Sequence, residues 1–177
     1  QAEDGIRDLI VTGVQTCALP IYHDIGKRVR GVPMLADLDE RFRVMDKFDD
    51  YVQILSVPAP PPEVLAGPDG APELAMRAND GMAELCGKYP DRFKGFTATL
   101  AMNNIDACMI EIDRAINDLG ASGIEFYTNV NGKPLDLPEF EPIFDVMAEH
   151  ALPIWVHPVR GAQSAEYLTD VTSESEP

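Results

Sequence analysis

Hydrophobic positions along the chain follow a helical spacing in four segments. In the first of these, LDERFRVMDKFDDY, Leu38, Phe42, Met45 and Phe48 stand three or four positions apart with charged residues between them. Such a stripe predicts an amphipathic helix with one apolar face. The same spacing predicts helices over residues 73–89, 104–120 and 138–151.

Four short apolar runs alternate with these helices and predict strands. They are YVQILSVP (51–58), FKGFTATLA (93–101), GIEFYTNV (123–130) and LPIWVHP (152–158). Strands separated by helices are typical of right-handed βαβ units, so we expect a parallel sheet. The Pro/Gly-rich stretch PAPPPEVLAGPDGAP after the first strand predicts a loop.

The number of strands leaves two architectures open at this point. A closed barrel needs eight strands and about 250 residues, which is more than this chain provides. The pattern therefore fits either a small doubly wound α/β domain or part of a barrel.

The first 21 residues, QAEDGIRDLIVTGVQTCALPI, resemble the in-frame translation of a sequencing-library adapter. Such a segment is excluded from reasoning about the fold. We therefore expect residues 1–21 to be non-native and residues 22–177 to belong to one domain.

Net charge and cysteine content restrict the kinds of molecule that this chain is expected to bind and the compartment in which it is expected to work. The 177 residues carry a net charge of −16, which disfavours binding to nucleic acid or to an anionic membrane surface. The three cysteines form neither a metal-binding spacing nor an even disulfide set, so a cytoplasmic location is expected. No apolar run approaches the length of a membrane helix.

The most informative candidate for chemistry is His157. It ends the apolar run LPIWV, and Pro158 follows it directly and cannot continue a strand ladder. The carboxyl ends of barrel strands carry catalytic groups, so this histidine is a candidate metal ligand. A hydrogen-bonded structural histidine is the alternative that the local sequence leaves open.

The chain resembles the amidohydrolase-related family that includes aminocarboxymuconate-semialdehyde, γ-resorcylate and 5-carboxyvanillate decarboxylases. The resemblance runs from Gly26 to Tyr167. It is carried, in this order, by FRVMDKFDDYVQILSVPAP, NDGMAELCGKYPDRFKGF and GIEFYTNVNGKPLDLPEFEPIFDVMAEHALPIWVHP. It implies an α/β fold: a partial (β/α)8 barrel of the TIM type with about strands two to five and their helices.

The resemblance also implies roles for three residues. His157 matches the histidine that ends the fifth strand and binds one divalent metal, zinc or manganese. Arg30 matches the arginine that holds a substrate carboxylate, although Arg28 competes for the same alignment. Asn129 ends the GIEFYTN strand at the same mouth and is expected to contact substrate. The family's first-strand His-x-His pair has no match here, so the metal site is expected to be incomplete.

The implied activity is metal-dependent decarboxylation of an aromatic or unsaturated carboxylic acid by the parent protein. The fragment as written is expected to be inactive. Two alternatives stay open: hydrolysis of an amide, ester or lactone by the same metal site, and a metal-free binding protein or inactive paralogue. The expected partner is a small carboxylic acid, and a homodimer is a further expectation from the family.

Overall fold

The computed structural model describes residues 32–35 and 37–159, in which strands and helices alternate. The segment interpreted as adapter, residues 1–21, and the candidate residue Arg30 lie outside the described residues. The strands are β1 Gln53–Leu55, β2 Phe93–Phe96, β3 Ala98–Thr99, β4 Ile124–Tyr127, β5 Asn129–Val130, β6 Lys133–Pro134 and β7 Ile154–His157. The helices are α1 Leu38–Met45, α2 Pro62–Leu65, α3 Ala71–Lys88, α4 Ile105–Asn117 and α5 Glu141–His150, with 3-10 turns at Pro33–Leu35 and Pro138–Phe140.

The parallel strands lie side by side in the order in which they occur along the chain. β1 pairs with β2, and β3, β4 and β7 pair in that order, all in parallel. Neighbours that follow chain order are typical of a barrel wall, whereas a doubly wound sheet reverses its order near the middle. The arrangement therefore agrees with the predicted partial barrel.

The predicted second strand is divided in two because it changes neighbours at Thr97. The Thr97 amide donates to the Leu55 carbonyl at 2.9 Å, whereas the next amide, that of Ala98, donates to the Gly123 carbonyl at 2.9 Å. β2 and β3 are thus two halves of one strand that joins β1 to β4.

The helices cover one face of this sheet and bury the core. Alternate residues of β4 point into that core, and the ring of Phe126 packs edge-on against Phe144 of α5 with centroids 5.7 Å apart. The largest fully buried side chains include Phe93, Phe96, Phe126, Ile112, Ile124, Ile143 and Met147. None of the helices in residues 32–35 and 37–159 is long and apolar enough to cross a membrane.

A buried amide side chain joins three elements of this layer. Asn79 of α3 donates to the Thr99 carbonyl at 3.0 Å and accepts from the Thr99 amide at 2.9 Å. It also donates to the Glu111 carboxylate of α4 at 2.6 Å, and Arg114 pairs with the same carboxylate at 2.8 Å. The side chain therefore replaces a missing strand neighbour at Thr99 and links β3 to both helices.

Helix ends follow local signals. Gly120 has a positive φ of 73°, and the Ala121 amide donates to the Ala115 carbonyl at 2.8 Å, so a glycine in the left-handed conformation ends α4. His150 occupies the last position of α5. The first helix ends at Met45, six residues before the predicted end, and Phe48 is exposed.

Two short elements depart from the prediction: a helical turn lies in the predicted loop, and residues 129–130, predicted as the end of the third strand, belong to a separate hairpin. The Pro/Gly-rich stretch contains the single helical turn α2, and β5 and β6 form a small antiparallel hairpin. Asn131 and Gly132 form its turn, with positive φ values of 51° and 84°. An Asn-Gly pair is a hairpin signal, so this element could have been read from the sequence.

Candidate metal and substrate site

The carboxyl ends of the parallel strands meet at one edge of the sheet, and the candidate residues lie along it. Tyr127 and His157 are directly opposite each other in the β4–β7 register, so their side chains share one face of the sheet. Their ring centroids are 5.0 Å apart. His157 is exposed and Tyr127 is buried beside it.

The ring of His157 is oriented by its own backbone neighbour. Its Nδ1 lies 2.9 Å from the Pro158 carbonyl oxygen. A carbonyl can only accept, so this hydrogen bond requires the proton on Nδ1 and leaves the Nε2 lone pair free. Metal-binding histidines commonly donate their other ring N–H to such a carbonyl. The geometry therefore fits a metal ligand that binds through Nε2.

The backbone after His157 is tied to the end of β4. The Val159 amide donates to the Thr128 hydroxyl at 2.9 Å, and that hydroxyl donates to the Val159 carbonyl at 2.9 Å. The Asn129 amide group donates to the same carbonyl at 3.3 Å. These contacts hold the segment from His157 to Val159 against the neighbouring strand.

The side chain of Asn129 is engaged at both of its polar atoms. Besides the bond to Val159, its Oδ1 accepts from the Gly132 amide at 2.9 Å and closes the β5–β6 turn. Asn129 therefore lies at the predicted edge of the sheet and has a positioning role there. Its contact with substrate stays a prediction.

Tyr127 was not identified from the sequence. Its hydroxyl lies 3.5 Å from the Val57 carbonyl, beyond the end of β1. Burial raises the pKa of its phenol, and the carboxyl groups of Glu125 and Glu63 raise it further, so the phenol stays protonated near neutral pH. Tyr127 could have been found by aligning the two predicted strands, which places it opposite His157.

Glu63 is a second residue that the sequence reasoning missed. It lies in α2, which follows the end of β1, and it is 5% exposed. Neither of its carboxylate oxygens has a hydrogen-bond partner among the described residues. Burial raises the pKa of Glu63 to about 7. The backbone amides of Glu63 and Met102 lie near the carboxylate and oppose the shift only in part, because neither forms a hydrogen bond of good geometry with it.

The described residues hold one predicted metal ligand and no complete set. No group of three His, Cys, Asp or Glu side chains in residues 32–35 and 37–159 could hold a metal ion. A catalytic zinc site uses about three protein ligands and an open position.

Comparison with known proteins identifies relatives among decarboxylases. The chain is 37% identical over 126 residues to γ-resorcylate decarboxylase from Rhizobium sp. (strain MTP-10005), covering 68% of this chain and 38% of the relative. It is 34% identical over 122 residues to 2-amino-3-carboxymuconate-6-semialdehyde decarboxylase from Dictyostelium discoideum, covering 69% and 34%. The chain thus spans little more than a third of the length of these curated relatives.

A solved structure gives the same result for the fold. 5-Carboxyvanillate decarboxylase from Novosphingobium aromaticivorans, in complex with manganese and 4-hydroxy-3-methoxy-5-nitrobenzoic acid, superposes with a TM-score of 0.68 at 32% identity. The match covers 84% of this chain and 40% of that one. The predicted fold class is confirmed: the described elements form part of a (β/α)8 barrel.

The family assignment rests on most of the chain. The family model described as amidohydrolase matches residues 31–172, a range that includes every strand and helix of the sheet described above. The resemblance noted from the sequence is confirmed by this match and by the relatives named as decarboxylases. The chain belongs to the amidohydrolase family.

Proposed function

We propose that the whole protein is a metal-dependent decarboxylase that removes carbon dioxide from a small aromatic or unsaturated carboxylic acid. The observation that carries this proposal is the geometry of His157, whose Nδ1 is paired with the Pro158 carbonyl at the carboxyl end of a barrel strand. Its support comes from relatives whose names are those of decarboxylases of γ-resorcylate and 2-amino-3-carboxymuconate-6-semialdehyde.

His157 would supply one ligand to a divalent cation through Nε2. The cation, when bound, would supply the positive charge that polarises oxygen atoms of the substrate. Solved relatives were crystallised with manganese, which favours a divalent metal at this position. The metal content of the purified protein would distinguish zinc from manganese.

The residues of this chain would bind and orient the acid. The guanidinium of Arg30 would hold a substrate carboxylate with two parallel hydrogen bonds, which fixes the direction of the bond that breaks. Asn129 would contact the substrate at the mouth and keep the backbone of Val159 in place. The neutral phenol of Tyr127, packed on the ring of His157, would exclude water from that side of the site.

The test is the metal content and activity of the whole protein with and without His157. We expect wild-type protein to hold about one metal ion per chain and to release carbon dioxide from γ-resorcylate or a related aromatic acid. His157→Ala should lose the metal and at least about 100-fold in kcat/KM, because a catalytic metal has few protein ligands. His150→Ala, at the end of α5, is the matched control and should leave both unchanged.

Three outcomes would reject the proposal. Wild-type protein that contains no metal would favour a binding protein. Metal retained in the His157→Ala protein would remove His157 from the site. Turnover of an ester, amide or lactone without release of carbon dioxide would assign the site to hydrolysis.

The remaining expectations about the whole protein are part of the same proposal. It would work in the cytoplasm, on a small molecule, and without nucleic acid or membrane. It would form a homodimer, which sedimentation of the purified protein can test. We expect the 177-residue chain by itself to be inactive, because its described residues supply one identified metal ligand.

A further inference from the structure

Glu63 has surroundings that its role in the fold does not explain. Its carboxyl group is nearly enclosed, and both oxygens lack a hydrogen-bond partner among the described residues. A buried polar group without a partner costs free energy, and a buried charge without a partner costs more. A leucine or methionine would fill the same space without that cost.

The group lies at the functional edge of the sheet. Glu63 is in the turn that follows β1, on the side where the parallel strands end. Its carboxyl group is close enough to Tyr127 of β4 and Cys108 of α4 to raise the pKa of both. Tyr127 in turn packs on His157 with ring centroids 5.0 Å apart. Tyr127 thus interacts electrostatically with Glu63 and packs directly on the proposed metal ligand.

The local structure also holds the backbone of Glu63 in place. The side-chain amide of Asn131, in the turn of the β5–β6 hairpin, donates to the backbone carbonyl of Glu63 at 3.4 Å. The two loops that follow β1 and β4 are thus joined at this residue. The side chain has a fixed anchor while its carboxyl oxygens have unused hydrogen-bonding capacity.

We infer that Glu63 is a substrate-binding residue of this same site and that its protonated carboxyl donates a hydrogen bond to an oxygen of the anionic substrate. The inference rests on the proposed function, because it takes an aromatic carboxylate as the ligand. A protonated carboxyl offers one O–H donor, and a donor satisfied by a carboxylate or phenolate oxygen forms a strong, charge-assisted bond. Bound substrate would supply the partner that the carboxyl group otherwise lacks.

The carboxyl group of Glu63 can carry the required proton near neutral pH. Burial raises the pKa of Glu63 to about 7. The titratable groups that face it are the phenol of Tyr127 and the thiol of Cys108, and burial is the main cause that raises the pKa of each. Neither of these two groups changes its charge between pH 6 and pH 9, so a change there can be traced by substituting Glu63.

The test measures binding of γ-resorcylate to the manganese-loaded whole protein by calorimetry from pH 6 to pH 9. For wild-type protein we expect affinity to fall as pH rises above about 7, because an ionised Glu63 cannot donate and repels the anion. Glu63→Gln keeps a donor that does not titrate, so it should bind within about 3-fold of wild type at pH 6 and lose this decline. Glu63→Leu should bind about 10- to 100-fold more weakly at pH 6, the loss typical of a hydrogen bond to a charged group.

The controls separate binding from folding. Glu84→Gln and Glu84→Leu make the same changes at an exposed position of α3 and should leave binding unchanged. Urea unfolding of each variant reports stability, and Glu63→Leu is expected to be at least as stable as wild type at pH 7. If Glu63→Leu does not fold, the pH profile of Glu63→Gln decides the question.

The outcomes distinguish this inference from the proposed function. Wild-type affinity in Glu63→Leu, or an unchanged decline above pH 7 in Glu63→Gln, would overturn the inference and leave the decarboxylase proposal intact. A wild-type protein that binds manganese but no aromatic carboxylate would overturn the proposed function, and this inference with it.

Discussion

Gly123 shows how a single residue sets the distance between two neighbouring strands. A Cβ atom at this position would lie 2.3 Å from the Pro153 carbonyl oxygen and 2.8 Å from the Trp155 ring. The first of these contacts is with backbone, so it cannot be relieved by rotating a side chain. Glycine is therefore required for β4 and β7 to pair in the register that brings Tyr127 opposite His157.

Replacing this glycine should loosen that pairing. We expect Gly123→Ala to lower the free energy of unfolding by about 3 kcal/mol, the scale of overpacking combined with backbone strain. Gly87→Ala is the matched control: a Cβ added there would meet nothing within 4 Å beyond its own helix backbone, and an alanine inside α3 should raise stability by about 0.5–1 kcal/mol. Urea unfolding measures both, and equal effects would show that the contact with Pro153 does not limit the spacing.

Glu63 should make stability depend on pH in a direction opposite to that of most acids. The folded state raises its pKa from 4.5 to about 7, so the folded protein binds this proton more tightly than the unfolded chain does. The free energy of unfolding should therefore fall by about 3 kcal/mol as pH rises from about 4.5 to about 7. Comparing wild type with Glu63→Gln by urea unfolding isolates this effect, because the other acids are common to both proteins. A difference that does not change with pH would contradict it.

At the scale of secondary structure, a few buried side-chain hydrogen bonds join the helices to the sheet. The clearest of these are made by Asn79. Its side chain satisfies both backbone groups of Thr99, which has no strand neighbour on the side away from β4, and it contacts Glu111 of α4. Helical periodicity indicates that Asn79 lies on a helix. Periodicity does not indicate that a polar residue is needed on the buried side.

Asn79→Ala should be among the more damaging substitutions in the layer. It would leave the Thr99 amide and carbonyl and part of the Glu111 carboxylate unsatisfied in a buried environment. We expect a loss of at least about 3 kcal/mol in the free energy of unfolding. Asn117→Ala, at an exposed position of α4, should cost no more than about 0.5 kcal/mol. Thermal unfolding of the two variants compares them, and similar melting temperatures would remove Asn79 from this role.

The elements that sequence could predict are those governed by regular spacing. The helical stripes and the four parallel strands follow from apolar periodicity, as does the position of His157 at a strand end. The division of the second strand at Thr97 could not be predicted, because it depends on which neighbour each half contacts. Tyr127 and Glu63 were missed for a related reason: one is defined by strand register, and the other by burial of a residue in a loop of irregular sequence.

At the scale of the whole molecule, the two outer strands of the described sheet present apolar side chains. Ile54 of β1 is 49% exposed, and Trp155 and Val156 of β7 are 43% and 47% exposed. Within the described residues each of these strands pairs on one side only. Such edges favour pairing with other chains.

The 177-residue chain should therefore associate through these edges. Charged residues on outer strands discourage such pairing, so Ile54→Lys combined with Val156→Lys should reduce association relative to the unchanged chain. Met76→Lys, at an exposed position of α3, adds the same charge away from an edge and should have little effect. Sedimentation velocity measures the sizes formed. Equal association in the edge variant and the helix variant would exclude the strands as the cause.

The spatial order of the strands also has a consequence for how the chain folds. Among the described residues each parallel strand pairs only with strands adjacent to it in chain order, so these pairings each span a single βα unit. A pairing across one unit closes a smaller loop than a pairing between distant strands would, and chains generally fold from the N-terminal end while they are being synthesised. A strand leaving the ribosome finds its first neighbour already made, so the wall can grow by one unit at a time during translation.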